Sequence, residues 1–504
     1  MAVVGVRGYP VAVEAHVGRG LPALYLTGLP GAAVQDARER VRPAVENSGL
    51  EWPLRRATVN LSPADLRKEG PGFDLAIAVA VLAATAQVPR GLLSGCALAG
   101  ELSLRGALVP TPGILAVADT AARAGFNAVV VPEANAAEAA LVEGIEVVGA
   151  PSLAKVAEYL RGQWTAAPPP PPEPRAVAAD VDFGEVRGQG EARRALEVAA
   201  AGGHNVLMIG SPGAGKTMLA RRLPTILPAM ARDEELEVTR LHSVAGLLPT
   251  GVGLVDRRPF RSPHHTISPA GLLGGGSGFI RPGEVSLANH GVLFLDEVTE
   301  FRRDALEGLR QPIEDGRVVV VRAAGAVEFP ARFTLVAAAN PCPCGFDGDP
   351  RRRCPCLPNR VESYRQRLSG PLLDRIDIRL RIPRLSRAEL LGSEPAESSS
   401  EIRTRVEEAR ERQRRRFREQ PFRCNAEMSG AHARRMASFT PAAEATLARA
   451  VDRYGLTGRG FDRALKVART IADLAGFDPV DVPHLLEALS FRGRASPTEG
   501  AGAA

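Results

Sequence analysis

Residues 206–223 read VLMIGSPGAGKTMLARRL, and the centre of this stretch, GSPGAGKT at 210–217, decides how the rest of the chain is read. Gly210, Ser211, Pro212, Gly213, Ala214, Gly215, Lys216 and Thr217 match G-x-x-x-x-G-K-[ST] in full. A β-rich run, Val206–Ile209, precedes them and a helical run, Met218–Leu223, follows, which is the context a phosphate-binding loop requires. Gly213 and Gly215 let the backbone fold its N–H groups around a β-phosphate, and the helix start adds its positive dipole end. Lys216 reaches the β- and γ-phosphates, and the Thr217 hydroxyl ligates magnesium. A chance glycine-rich turn would not bring both flanks with it.

The second half of the site reads VLFLDE at 292–297. A buried strand ending in two carboxylates places them at the carboxyl edge of a sheet, where ligands bind in open α/β folds. Asp296 is expected to orient magnesium and Glu297 to polarise the attacking water. Acidic residues after a strand are common, so this string gains its meaning from the loop before it. Together the two imply ATP and Mg2+. Asn340, at the end of the strand-like run Phe333–Ala339, is placed to hold the attacking water near the γ-phosphate.

Around this centre, Asn205–Gly210, Gly291–Asp296 and Phe333–Ala338 read as buried strands separated by helical stretches, the pattern of a parallel sheet with helices on both faces. At 504 residues the chain suggests roughly three domains of about 150 residues each. The boundaries predicted are an α+β domain at 1–164, a polyproline-type linker at 165–178, an α/β core at 179–385 and a helical domain at 386–504, whose first residues to about 400 read as a loop. In the first domain, alternation at Val3–Val17 and Ala57–Leu61 suggests strands, and helical spacing recurs at 33–47, 74–87 and 114–124. Helices are expected at 401–418 and across 441–490. The former carries eight Arg and five Glu over residues 401–420 and reads mostly as a solvated face with i,i+4 pairs.

Composition sets the outer bounds. A hydrophobic share of 45% with 24% charged residues describes a globular protein, and a net charge of +6 permits nucleic acid as a partner without requiring it. The longest strongly apolar run, Leu75–Ala86, covers 12 residues and is too short to span a bilayer. Arg7, Glu14, His16 and Arg19 interrupt any signal-peptide core, and six cysteines do not form a secreted disulfide framework. A cytoplasmic location is expected. Cys342, Cys344, Cys354 and Cys356 spell C-x-C-x9-C-x-C, a set suited to structural Zn2+, with free thiols or a redox pair as the alternatives. Cys96 and Cys424 read as isolated and buried. His264 and His265 are adjacent, cannot both face one ion on a regular element, and read as loop residues.

Long strings carry a resemblance to the Mg-chelatase-like AAA+ proteins: GEVSLANHGVLFLDEV (283–298), LRQPIEDG (309–316), AAANPCPCG (337–345), SGPLLDRIDI (369–378) and LKVARTIADL (465–474). GLPGAAVQDARERVRPA (28–44), VNLSPADLRKEGPGFDLAIA (59–78) and GELSLRGALVP (100–110) narrow it to the ComM/YifB family of bacterial competence-associated ATPases. The resemblance implies a Lon-protease-like (S5-type) N-terminal domain, an AAA+ module and a C-terminal helical lid. It further implies a homo-hexameric motor on single-stranded or branched DNA, acting in branch migration during natural transformation.

The same resemblance implies that Arg375 is an arginine finger reaching a neighbouring subunit, and that Arg463 touches the γ-phosphate from the lid. It also implies two pore elements. One is an insert at about 268–284 with Gly274–Gly276 and Arg281. The other is a hairpin with strands Arg317–Arg322 and Val327–Phe333 and a tip at Ala323–Ala326, where Gly325 supplies turn freedom. Arg281, Arg317 and Arg322 are then candidate phosphate contacts, with pairing to Glu284, Glu314 or Asp315 as the alternative. An active Lon-type domain needs a serine where this chain has Gly72, and Pro112–Ala118 contains no lysine, so no proteolysis is expected. The competing readings are a magnesium-chelatase-type ATPase subunit, held less suitable because it would lack the N-terminal domain, and a chaperone-like remodeller.

Overall fold

A computed structural model of the chain describes residues 1–70, 72–169, 181–249, 251, 253–276, 280–322, 325–387, 389 and 396–492. The proline-rich spacer from residue 170 onward, part of the 386–400 loop and residues 323–324 of the expected hairpin tip lie outside them.

The N-terminal part is α+β. A hairpin of β1 (Ala2–Val4) and β2 (Arg7–Tyr9) leads into a mixed three-stranded sheet of β3 (Ala12–Gly18), β4 (Ala23–Thr27) and β5 (Arg56–Ser62), with β5 in the middle. The helical spacing at 33–47 resolves into a single turn, Ala32–Gln35, and then α1 (Ala37–Asn47). The apolar run becomes α2 (Asp74–Ala84), buried almost all round as a helix without a polar face must be. Its one charge, the buried Asp74, is met by Arg40 at 2.7 Å. A parallel sheet of β6 (Cys96–Leu98), β7 (Ala128–Pro132) and β8 (Glu146–Ala150) follows, covered by α3 (Ile114–Arg123) and α4 (Leu153–Leu160).

The centre of the chain is a five-stranded sheet with every neighbouring pair parallel. Helix α5 (Gly190–Gly202) precedes β9 (Val206–Gly210), and α6 (Lys216–Ile226) and α7 (Arg232–Ala245) follow it. The remaining strands are β10 (Phe260–Arg261), β13 (Val292–Leu295), β16 (Thr334–Ala339) and β17 (Ile378–Ile382). Their order is β10-β13-β16-β9-β17. Near-continuous Val, Leu, Ile and Ala in the inner strands fit burial on both faces. Two separate apolar clusters do the covering, one built on Val206, Phe294 and Val336 and the other on Leu207, Leu293 and Leu335.

Two small elements project from this core. Residues 268–284 form α8 (Pro269–Leu273) and a two-stranded ribbon of β11 (Gly274–Gly275) and β12 (Arg281–Pro282). Beside it stands the hairpin of β14 (Arg317–Arg322) and β15 (Gly325–Pro330). The second strand therefore begins two residues before the expected Val327. Arg322 pairs directly with Gly325, so Gly325 belongs to the ladder and not to the turn.

The C-terminal helices are α9 (Ser399–Arg416), α10 (Gly430–Met436), α11 (Pro441–Tyr454), α12 (Gly458–Ala475) and α13 (Val482–Ser490). The arginine-rich α9 departs from the expected solvated face. Arg403 and Arg410 donate to the backbone carbonyls of Thr225 and Ala200, and Arg405 binds Glu197 at 2.6 Å, so three of its arms hold the core. Arg414 and Arg415 do keep to their own helix, sharing Glu411.

Candidate active site

Parallel strands put all their carboxyl ends at one edge, and here that edge gathers the expected nucleotide-site groups. Ile209 stands beside Ala339, and Leu295 beside Ala337, so the loop after β9, Asp296 after β13 and Asn340 after β16 converge. Gly213 (φ 77°) and Gly215 (φ 94°) adopt the left-handed backbone that curls the loop, a conformation a side chain would resist. Lys216 opens α6 and is buried. Its ammonium donates to Gly210 O (2.5 Å), Ser211 O (3.1 Å) and Asn340 Oδ1 (3.2 Å). Burial pushes its pKa down, opposed by the charges of Asp296 and Glu297.

Thr217 Oγ1 donates to Asp296 Oδ2 at 2.7 Å, so hydroxyl and carboxylate already face one point. A hard cation with oxygen ligands suits that pair. Glu297 follows in the left-handed region (φ 50°), its side chain half exposed. The sequence reading missed its neighbour: His265 Nδ1 lies 3.8 Å from Glu297 Oε2. The β10–β13 register explains the meeting. Arg261 pairs with Leu293, and four residues further on each chain His265 and Glu297 arrive together. His265 also stacks on His264, with ring centroids 4.1 Å apart.

Arg375 and Arg463 are brought together, at the opposite edge of the sheet. Both lie just before or against the start of β17, while the phosphate loop follows the end of β9. Arg375 donates to Pro371 O (2.6 Å) and Arg310 O (3.1 Å) and binds Glu314 at 2.5 Å. Arg463, in the first turns of α12, donates to Leu373 O (3.0 Å) and Ile376 O (2.8 Å) and faces Asp374 at 3.5 Å. Neither touches the phosphate loop of its own chain. For Arg463 this differs from a lid residue closing over its own nucleotide, because α12 packs at the amino-terminal edge of the sheet. A cleft of about 1040 Å³ opens there, lined by both arginines, Arg459, Lys466, Glu314 and Asp374.

The four cysteines converge too. Sγ of Cys342 lies 3.3 Å from that of Cys344 and 3.6 Å from that of Cys354, Cys344 and Cys354 are 3.5 Å apart, and all four sulfurs fall within 4.8 Å of one another. Zinc–sulfur bonds of about 2.3 Å require sulfurs about 3.8 Å apart around a tetrahedron, so the set fits one zinc ion. Cys96 and Cys424 are buried apart from it.

The expected DNA contacts are less uniform. Arg281 is exposed on β12. Arg317 pairs with Glu328 across its own hairpin at 3.1 Å, and not with Glu284, Glu314 or Asp315. Glu284 is taken by Arg261 and Glu314 by Arg375. Of Arg322 the backbone pairing is described. Between them Val319 and Val321 are exposed, so this face of the hairpin is more apolar than its arginines suggested.

Comparison with known proteins shows the family. Family models described as "Magnesium chelatase, subunit ChlI", "Subunit ChlI of Mg-chelatase" and "Magnesium chelatase, subunit ChlI C-terminal" match residues 182–390, 13–135 and 396–492. The YifB protein of Escherichia coli is 42% identical over 494 residues, covering 97% of this chain and 96% of its own length. The competence protein ComM of Haemophilus influenzae is 40% identical over 502 residues, again 97% and 96%. The chain belongs to the ComM/YifB family. It is thus an AAA+ ATPase of the Mg-chelatase-like type, a family that implies ATP and Mg2+.

The magnesium-chelatase 38 kDa subunit of Rhodobacter capsulatus is 26% identical over 348 residues, 64% of this chain and 90% of its own length. A chelatase description also attaches to residues 13–135, yet 64% of this chain already accounts for 90% of that subunit, and extent and identity of the match set the ComM/YifB relatives apart from it. A partial similarity to a Lon protease of Geobacter metallireducens, 28% identical over 137 residues, spans 26% of this chain and 16% of that protein.

Proposed function

We propose that this chain is an ATP-driven motor that assembles as a closed homo-hexamer and moves branched or single-stranded DNA. The observation that carries the reading is the split of the site. Lys216, Thr217, Asp296, Glu297 and Asn340 stand at one edge of the sheet, and Arg375 and Arg463 at the other. A subunit so built holds Arg375 and Arg463 away from its own phosphate loop and offers them to a neighbour.

In the hydrolytic step Lys216 binds the β- and γ-phosphates, exchanging its loop carbonyls for phosphate oxygens. Magnesium, held by Thr217 and Asp296, neutralises phosphate charge when bound. Glu297 takes the proton of the attacking water, which Asn340 orients. Arg375 and Arg463 of the adjacent subunit stabilise charge on the transferred group, a contribution that can reach 10³–10⁵-fold in rate.

The DNA part rests on the hairpin β14–β15, on the insert carrying Arg281, and on the name of the ComM relative, a competence protein. Arg317 is half exposed in a surface pair with Glu328, and such pairs are worth about 0–1 kcal/mol, so a phosphate can displace the carboxylate at little cost. Contacts of this kind read charge and not sequence, so binding is expected to be sequence-independent and to weaken steeply with salt. The test is ATP-dependent migration of a labelled four-way junction, with Lys216→Ala as the inactive control. Junction movement, together with DNA-stimulated hydrolysis that Arg281→Ala/Arg317→Ala/Arg322→Ala reduces without lowering the basal rate, supports the motor. An ATPase indifferent to every DNA form, with a static junction, turns the reading to a chelatase-type ATPase subunit or a remodeller of proteins. The chelatase descriptions of the matching family models favour the former.

The cysteine set is proposed to hold one structural zinc ion per chain. Metal analysis of protein purified without chelator checks it directly.

A further inference from the structure

The cysteine loop does more than enclose a metal-sized space. It begins two residues after Asn340 and runs back over the outer side of the phosphate loop. Gly345 (φ 81°) packs directly on Pro212, where an added Cβ would lie 2.6 Å from Pro212 Cδ. Asp349 accepts the backbone N–H groups of Arg351 (2.8 Å) and Arg352 (3.2 Å), and the Arg351 bond, with the nearby Ser211 side chain, holds its carboxyl below the ordinary value. Arg384, after β17, reaches Pro212 O at 3.4 Å and Asp349 at 3.7 Å. Phe346 lies beneath the guanidinium groups of Arg352 and Arg384, 4.1 and 5.9 Å from its ring centre. Ser211 and Pro212 are therefore gripped from behind by the loop whose other end, through Asn340, holds Lys216.

We infer that the metal-bound cysteine loop is a brace for the phosphate-binding loop, and that metal occupancy sets the affinity of the site for nucleoside triphosphate. This rests on the zinc reading above. A 17-residue loop at 341–357 with no helix until Pro358 and no strand has little of its own to keep Gly345 and Asp349 in place. Four sulfurs on one ion supply that rigidity. Loss of the ion frees the loop, and Ser211 and Pro212 lose the surface that shapes them. A metal serving only the stability of the fold would leave affinity untouched in protein that remains folded.

The experiment uses the full chain and measures zinc content and affinity for a fluorescent ATP analogue on the same samples. Three preparations are compared: native, chelator-stripped, and stripped then resupplied with zinc. Stripping is expected to weaken binding about fivefold or more, the loss of roughly one or two contacts, and zinc to restore it. Gly345→Ala keeps all four cysteines and is expected to retain one zinc while losing similar affinity, because its methyl group meets Pro212. Gly348→Ala imposes the same backbone penalty (φ 77°) with nothing within 4 Å of its Cβ and is expected to bind ATP as the native chain does. Should Gly345→Ala fail to fold, Asp349→Ala, which removes the carboxylate facing Arg384 beside Pro212 O, supplies the readout. Zinc-free native protein would overturn the metal reading and the brace with it. Zinc-bearing native protein whose stripped form and variants bind ATP unchanged would overturn the brace alone.

Discussion

Lys216 and Glu297 stand at the same edge of the sheet, yet in the proposed mechanism they act on different states of the reaction. Lys216 holds charge on bound phosphates, so Lys216→Ala is expected to weaken ATP binding at least about tenfold, the worth of one charge-assisted contact. Glu297 acts on water, so Glu297→Gln is expected to bind ATP normally and to hydrolyse it about 10²–10⁴-fold more slowly, as for loss of a general base. Equilibrium binding and single-turnover hydrolysis separate the two. A near-native rate for Glu297→Gln would remove it from the mechanism. These residues were legible in the sequence because the loop's demands are local: glycines at two left-handed positions, a lysine and a hydroxyl at fixed offsets. His265 was not legible. Its approach to Glu297 depends on the alignment of two strands whose partners lie 32 positions apart, Arg261 with Leu293 and Phe260 with Val292, which no spacing within either segment reveals.

Elements carry their own consequences. Helix α7 is pinned to the turn before β13 by Glu237, which accepts His290 Nε2 at 2.5 Å and Asn289 Nδ2 at 2.9 Å. Burial works against this carboxylate's charge, but the His290 and Asn289 hydrogen bonds prevail and hold its pKa down to about 2. A carboxyl lowered on folding stabilises the fold above its unfolded value of 4.5, and that contribution is lost as pH falls from 4.5 toward 2. Thermal melts across this window are expected to show Glu237→Gln less sensitive to acid than the native chain. An identical acid dependence would mean the pair adds nothing. Three of the five core strands were read almost to the residue because their apolar runs are continuous, whereas Phe260–Arg261 and Ile378–Ile382 were not read as strands. The hairpin was read less well. Gly325 suggested a turn, but it takes its positive φ (130°) inside the ladder, opposite Arg322. The arms of α9 were misjudged because an arginine that pairs with its own helix and one that reaches a carbonyl on α5 or α6 look alike in sequence.

At the scale of the whole molecule, the division of catalytic groups between two edges of one sheet makes a prediction about mixtures. Neither Arg375→Ala nor Lys216→Ala rings are expected to hydrolyse ATP appreciably. Mixed together, an intact phosphate loop on one subunit meets intact arginines on its neighbour, and a fraction of the native rate is expected to return. Absence of any recovery in demonstrated mixed rings would place the arginines outside the reaction. The family was legible over nearly the full chain, whereas the placement of Arg463 was not, since it depends on where α12 packs and not on what α12 is made of.

In the proposed ring, the two-edged sheet would also give assembly a direction. A heterologous, head-to-tail contact repeats without using itself up, so a row of n copies always ends with one socket unfilled and one plug unused. An open row of six would carry five complete pockets, and closing it would create the sixth without adding a subunit. Closure itself would then be rewarded with catalysis: a gap left for DNA to enter would silence one pocket, and its sealing would be felt at a site distant from the DNA.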